Sequence, residues 1–244
     1  MLWLTLAGAF IVGVSKTSVG GLNVLSVLIF ALAMPTKEST GAVLLLYLAG
    51  DLVATVRYRA SVNWRMLGEL VPWVLPGLAL GAWFLVVVDG QALRRGIGAI
   101  LAVSVVLHLA LNRPRRARPD APRSRIGRWL GTAAAGLAAG FTTMAANAGG
   151  PVMTLYLLAK QVDKHVFVGT AAWFFFTINL SKLPFSITVG AINADIAWSA
   201  VVLAPVVWLG CLAGIWLLRI IPQRVFNGLA LASSGFGAGV LMFG

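Results

Sequence analysis

The 244 residues are 59% hydrophobic and only 11% charged, with a mean hydropathy of +0.91, whereas a soluble domain carries about 25% charged residues. This composition excludes a water-soluble fold, and the lack of alternating segments of roughly ten residues excludes a transmembrane barrel. The net charge of +12 does not point to nucleic acid, because the arginines fall in loops between apolar runs, where they report topology. In chain order, Met1 to Val14 is apolar without a basic leader or a cleavage site, and reads as a membrane segment rather than a signal peptide. It belongs to a broken segment over 2–34, interrupted by Gly13-Val-Ser-Lys16-Thr17-Ser-Val-Gly20-Gly21. Apolar runs follow near 40–56, 66–88 and 91–111. Residues 113–128 are rich in proline and arginine, poor in apolar side chains, and predict an unfolded linker. A second broken segment, 129–159, contains Thr142-Thr143-Met-Ala-Ala-Asn147-Ala-Gly149-Gly150-Pro151, and is followed by runs near 166–189, 196–218 and 225–243.

Each half therefore holds the same parts: a glycine-broken segment and then three apolar runs. A shift of 129 brings Gly20-Gly21 onto Gly149-Gly150, Pro76 onto Pro205, Gly81 onto Gly210, Arg95 onto Arg224 and Ser104 onto Ser233. The expected architecture is an all-α polytopic membrane protein of two homologous repeats. Repeat 1 covers 1–112, a basic cytoplasmic linker 113–128, and repeat 2 129–244. Basic residues distinguish two topologies. Counting each broken segment as one span makes the repeats parallel and leaves ten Lys and Arg residues inside against seven outside. Making each a hairpin of two short helices moves Lys160, Lys164, Arg219 and Arg224 inside. Fourteen then lie inside and only Lys37, Arg94 and Arg95 outside, with Lys16 and Lys182 within the membrane. An odd number of passes per half follows, so the repeats are inverted.

Broken hydrophobic segments at matching positions of two halves point to a transporter binding site. Lysine at membrane depth is costly and marks function by default. Lys16 sits in the first break beside the hydroxyls of Ser15, Thr17 and Ser18, and Gly20 and Gly21 offer backbone N–H groups that suit an anion. The alternative is a lysine that snorkels to an interface. The second break supplies Thr142, Thr143, Asn147, Gly149 and Gly150, or else a tight packing face of small residues. Asn179, Lys182 and Ser186 share one helix face, and Pro184 frees the backbone beside it. Asp51, in the matching run of repeat 1, is a counter-charge, a coupling-proton carrier or a buried structural partner. His108 has no second histidine near it, so no metal is expected. No HExxH, GxSxG, P-loop or CxxC motif occurs, so neither catalysis nor a cofactor is expected.

The pattern resembles the sulfite exporter TauE/SafE family, also known as the toluene-sulfonate uptake permeases. The likeness rests on Gly13-Val-Ser-Lys16-Thr17 with Gly20-Gly21, and on Gly140-Phe-Thr-Thr143-Met-Ala-Ala-Asn147-Ala-Gly149-Gly150-Pro151. Arg59-Ala-Ser-Val-Asn63-Trp64 and Gly190-Ala-Ile-Asn193 add to it. Many members have a third glycine in the first break; here Leu22-Asn23 stands instead. The resemblance implies a multi-pass protein of the bacterial inner membrane that moves sulfite, sulfonates such as sulfoacetate, or related small organic acids. The site expected from these residues is an anion held near mid-membrane between the two breaks. Lys16 and Lys182 compensate its charge, and Thr17, Thr143, Asn147, Asn179 and the amides of Gly20, Gly21, Gly149 and Gly150 donate hydrogen bonds. The rival is a cation or neutral solute with Asp51 as ligand. Expected partners are the anion and the lipid bilayer. The small-residue face Gly235-Phe-Gly237-Ala-Gly239 suits either the other repeat or a second copy in a homodimer.

Overall fold

The computed structural model describes residues 2–87, 125–147 and 149–243, and within them nine α-helices and two short 3-10 turns. The apolar run 91–111, Arg94, Arg95, His108 and most of the linker lie outside the described residues. The first broken segment is two short helices, α1 (Leu2–Thr17) and α2 (Asn23–Ala33), joined through a 3-10 turn at Gly20–Leu22. Then come α3 (Thr36–Arg57) and α4 (Trp64–Val87). The second broken segment is α5 (Arg125–Ala146) and α6 (Gly149–Ala159), so the helix starts within the stretch read as linker. The chain ends with α7 (Lys164–Thr188), α8 (Ala194–Ile220) and α9 (Gln223–Phe243).

Among the described residues, four helices are long and apolar enough to cross a membrane: Glu38–Arg57, Trp64–Phe84, Lys164–Thr188 and Ala194–Ile220. The eleven residues of α2 and of α6 rise only about 16 Å each, roughly half of a hydrocarbon core. Helix α8 shows what a lipid solvent selects. Its large side chains Val201, Val202, Leu209, Leu212 and Trp216 are exposed, while small Ala200, Gly210, Cys211 and Gly214 face inward. Without a hydrophobic drive between helices in lipid, close packing on small residues holds them together. Side chains also set the helix starts: Asp163 accepts from the His165 N–H, and Asn193 from the Ile196 N–H.

The chain forms two compact units, Met1–Trp64 with Val162–Ala230, and Arg65–Gln161 with Leu231–Gly244. The first is built on the crossing of α1 with α8. A Cβ on Gly13 would strike the Val207 carbonyl, and one on Gly210 the Phe10 carbonyl, so only glycine lets the two backbones touch. Around this seam Val12, Phe30, Leu46, Leu203 and Val207 form a dry core. The second unit contains a crossing of α4 with α5 in which Gly140 meets the Val74 carbonyl and Gly77 the Leu137 carbonyl. Edge-to-face pairs Trp73–Trp129 and Phe84–Phe141, with ring centroids 5.0 and 5.4 Å apart, flank it.

The two crossings match contact for contact. Gly13 and Gly140 lie 127 positions apart, as do Phe10 and Leu137. Val207 and Val74 lie 133 apart, as do Gly210 and Gly77, and Gly214 and Gly81. This corrects the uniform shift of 129. The geometry pairs Gly210 with Gly77 rather than Gly81, and the 133 offset pairs Pro205 with Pro72 rather than Pro76. Glycines and prolines spaced four apart on α4 coincide with those of α8 under either offset.

Candidate functional site

Around the break after α1 the serine and threonine hydroxyls donate to backbone carbonyls. Ser15 Oγ donates to the carbonyls of Val19 and Gly20, both at 3.2 Å. Ser18 Oγ donates to Val14 at 2.6 Å. Thr17 Oγ1 reaches Gly13 at 3.0 Å and Cys211 on α8 at 2.9 Å. Thr17 thus serves the α1–α8 seam instead of lining the pocket, and the hydroxyls expected as anion donors are engaged on the backbone. Tyr58, just past α3, donates to the Thr17 carbonyl at 3.0 Å. Burial pushes its phenol up to about 12, against the pull of the Arg57 guanidinium, so it stays a donor. Neither Gly20 nor Gly21 adopts a positive φ; in the second break it is Asn147, at φ 52°, that does.

Lys16 lies in the last turn of α1, where the helix dipole favours a cation. Its Nζ pairs with Asp51 Oδ1 at 2.7 Å. Asn179 Nδ2, from α7, donates to Asp51 Oδ2 at 2.8 Å. The ammonium also lies over the Tyr47 ring at 4.4 Å and the Phe175 ring at 5.1 Å, positions that a cation favours. A side chain at Gly50 would press on the Lys16 stem. Lys16, Asp51 and Asn179 are 6%, 0% and 1% exposed. Burying two opposite charges costs several kcal/mol each in desolvation, and this arrangement offsets that cost with a short ion pair, an amide and two aromatic faces.

A pocket opens beside the pair. Its polar wall is Ser15, Lys16, Ser18, Gly20, Asn23 and Asp51; its apolar wall is the α7 stretch from Phe167 to Phe175. The pocket is small, with about 20 Å³ open to a water-sized sphere. Lys182 and Ser186 continue the α7 face that carries Asn179, and both are buried. Lys182 is not among the residues lining this pocket. Thr143, Asn147, Gly149 and Gly150 are all buried and belong to the second unit. There a Cβ on Gly149 would press on Thr143, so the second break is folded tightly on itself.

Three residues of the first unit were missed by sequence reasoning. Asn23, of the Leu22-Asn23 pair, is buried and lines the pocket; its side-chain oxygen has no hydrogen-bond partner among the described residues. A polar residue at the head of an apolar run was the available signal. Tyr47 stands one turn before Asp51 on α3, a spacing that places both on one face. Phe175 lies in an aromatic-rich run that offers nothing to single it out.

With this geometry in hand, comparison with known proteins is direct. The family model for "Sulfite exporter TauE/SafE" matches residues 5–242. No curated protein and no solved structure matches the chain.

Proposed function

We infer the function from lineage and pocket together: the chain belongs to the sulfite exporter TauE/SafE family, a family of membrane transporters. We propose that it is a secondary transporter, in the export direction, of small sulfur-containing anions, sulfite or an organosulfonate, in the bacterial inner membrane. The observation that carries this reading is a buried lysine, Lys16, in the last turn of α1 at the break before the half-length helix α2, lining a small pocket whose opposite wall is apolar. An ammonium at membrane depth is expensive unless it binds something.

In this reading Asp51 occupies the ammonium while no substrate is bound. A sulfonate or sulfite oxygen then takes its place on Nζ, with Lys182 and Asn179 on the same α7 face adding charge and a donor. Asn23 supplies an amide at the pocket wall. Thr143, Asn147 and the amides of Gly149 and Gly150 are proposed as the neutral donor set of the second unit. Broken helices give such a site its access to both sides in turn. A cation bound by Asp51 is disfavoured, because both carboxylate oxygens are already engaged, one by Lys16 and one by Asn179.

The test is counterflow in proteoliposomes. Vesicles loaded with unlabelled sulfite or sulfoacetate are expected to accumulate the labelled anion, and those loaded with chloride or a potassium-matched neutral solute are not. Counterflow of a cation or a neutral solute, and none of any sulfur anion, would overturn the assignment.

A further inference from the structure

Asp51 is fully buried on α3, and among the described residues both of its oxygens are taken. Oδ1 meets the Lys16 ammonium of α1 at 2.7 Å, and Oδ2 accepts from the Asn179 amide of α7 at 2.8 Å. The other buried titratable groups on the helices packed around it are Tyr47 on α3 itself, Lys182 on α7 and Cys211 on α8; α2 carries none. The Tyr47 hydroxyl is committed to the Asn23 carbonyl. Lys16 and Asp51 both line the pocket, so a ligand there meets the pair and not the lysine alone.

An anion that takes the ammonium takes it from Asp51. The carboxylate is then left with one amide N–H. Out of water and without a cation, the ionised form of a carboxyl group is the costlier of its two forms, and a proton that reaches it stays. The pocket that admits the anion is also lined by Asp51, so the proton comes from solvent by the same route. It bonds to Oδ1, the oxygen that Lys16 has left. Asn179 keeps its bond to Oδ2, since an N–H serves a carbonyl oxygen as it serves a carboxylate. The charge on the pair closes. Before, there is one ammonium and one carboxylate; after, one ammonium, one anionic group of the ligand and one neutral acid.

We propose that the anion and a proton bind this pocket together, with Asp51 as the proton's site, so that each sulfonate or sulfite group on Lys16 is accompanied by one proton. The proton is a co-substrate that crosses in the same direction as the anion. Export then runs on the anion's own outward gradient and carries the proton with it. The proposal rests on the anion-transport reading above and deepens it.

The experiment is titration calorimetry of the full-length protein in detergent at mildly alkaline pH, in two buffers of different ionisation enthalpy. The probes are methanesulfonate and sulfoacetate, whose charges are fixed there. The dependence of the heat on the buffer counts protons, and uptake of one per ligand is expected. Affinity for methanesulfonate is then expected to fall as pH rises, by up to about tenfold per pH unit. Infrared difference spectra assign the proton. Adding methanesulfonate to wild type should raise the carbonyl band of a protonated carboxylic acid, and Asp51→Asn should lack that band. Binding with no proton taken up overturns the proposal, and means that another cation, Lys182 foremost, moves onto Asp51. Proton uptake without the acid band, or with a band that a folded Asp51→Asn retains, overturns it too, because a group other than Asp51 then takes the proton. If Asp51→Asn does not fold, the wild-type proton count and band decide alone. If neither probe binds, the anion reading itself falls, an outcome distinct from binding without a proton.

Discussion

In one unit, Gly13 of α1 meets the Val207 carbonyl and Gly210 of α8; in the other, Gly140 of α5 meets the Val74 carbonyl and Gly77 of α4. Carry the 127-residue offset three positions on and the likeness stops. Lys16 stands in one unit where Thr143 stands in the other, and Thr17 where Met144 stands. The first unit buries two lysines and an aspartate; among the described residues the second buries only hydroxyls and an amide. Scaffold and chemistry are thus separable. The crossing has glycine on both helices wherever it occurs, whereas charge is buried, among the described residues, in one unit alone.

The scaffold half of this comparison predicts the largest effect. Gly210→Leu and Gly77→Leu should each cost about 3 kcal/mol or more, since a side chain there must push backbone from backbone. Thermal melts in detergent should show both variants poorly folded. Gly68→Ala, where nothing lies within 4 Å, should melt at or above wild type. Equal tolerance at all three positions would break the equivalence of the crossings.

Next in size is Lys16→Met, which leaves Asp51 buried without its cation and should cost about 3–5 kcal/mol. Lys16→Met with Asp51→Asn should regain most of that stability without regaining anion binding. In the second unit, Thr143→Val should cost only about 1 kcal/mol. A Lys16→Met melt as mild as that of Thr143→Val would mean that the ion pair contributes little and the contrast between the units is false.

The smallest effect sharpens the account of Lys16. Tyr47→Phe removes the 3.1 Å hydrogen bond to the Asn23 carbonyl but keeps the ring beneath the ammonium. It should cost about 1 kcal/mol and change anion affinity by less than about threefold. Tyr47→Leu removes the ring as well and should weaken binding further. Equal affinity in the two variants would show that the ring does not hold Lys16.

Much of this was legible in the sequence because the membrane makes exceptions conspicuous. Lys16, Asp51, Asn179 and Lys182 stand out as polar or charged positions within apolar runs, and the structure brings Lys16, Asp51 and Asn179 into direct contact. The helix limits follow the apolar runs to within a few residues for the same reason. For the hydroxyls of the first break, sequence shows a donor and not its acceptor, and the fold adds that Ser15, Thr17 and Ser18 donate to backbone carbonyls. The repeat register was hidden because glycines recur at helical spacing and coincide under more than one shift. Backbone contacts at Gly13 and Gly140 match under offsets of 127 and 133.

The most direct test of the central claim is anion binding to wild type, Lys182→Ala and Thr143→Val, followed by thermal shift over a concentration series of methanesulfonate. A ligand that binds the folded state raises the melting temperature with its concentration. The account predicts a rising melting temperature for wild type, a weaker rise for Thr143→Val, which loses one neutral donor, and none for a folded Lys182→Ala. A Lys182→Ala protein that responds as wild type does would contradict it.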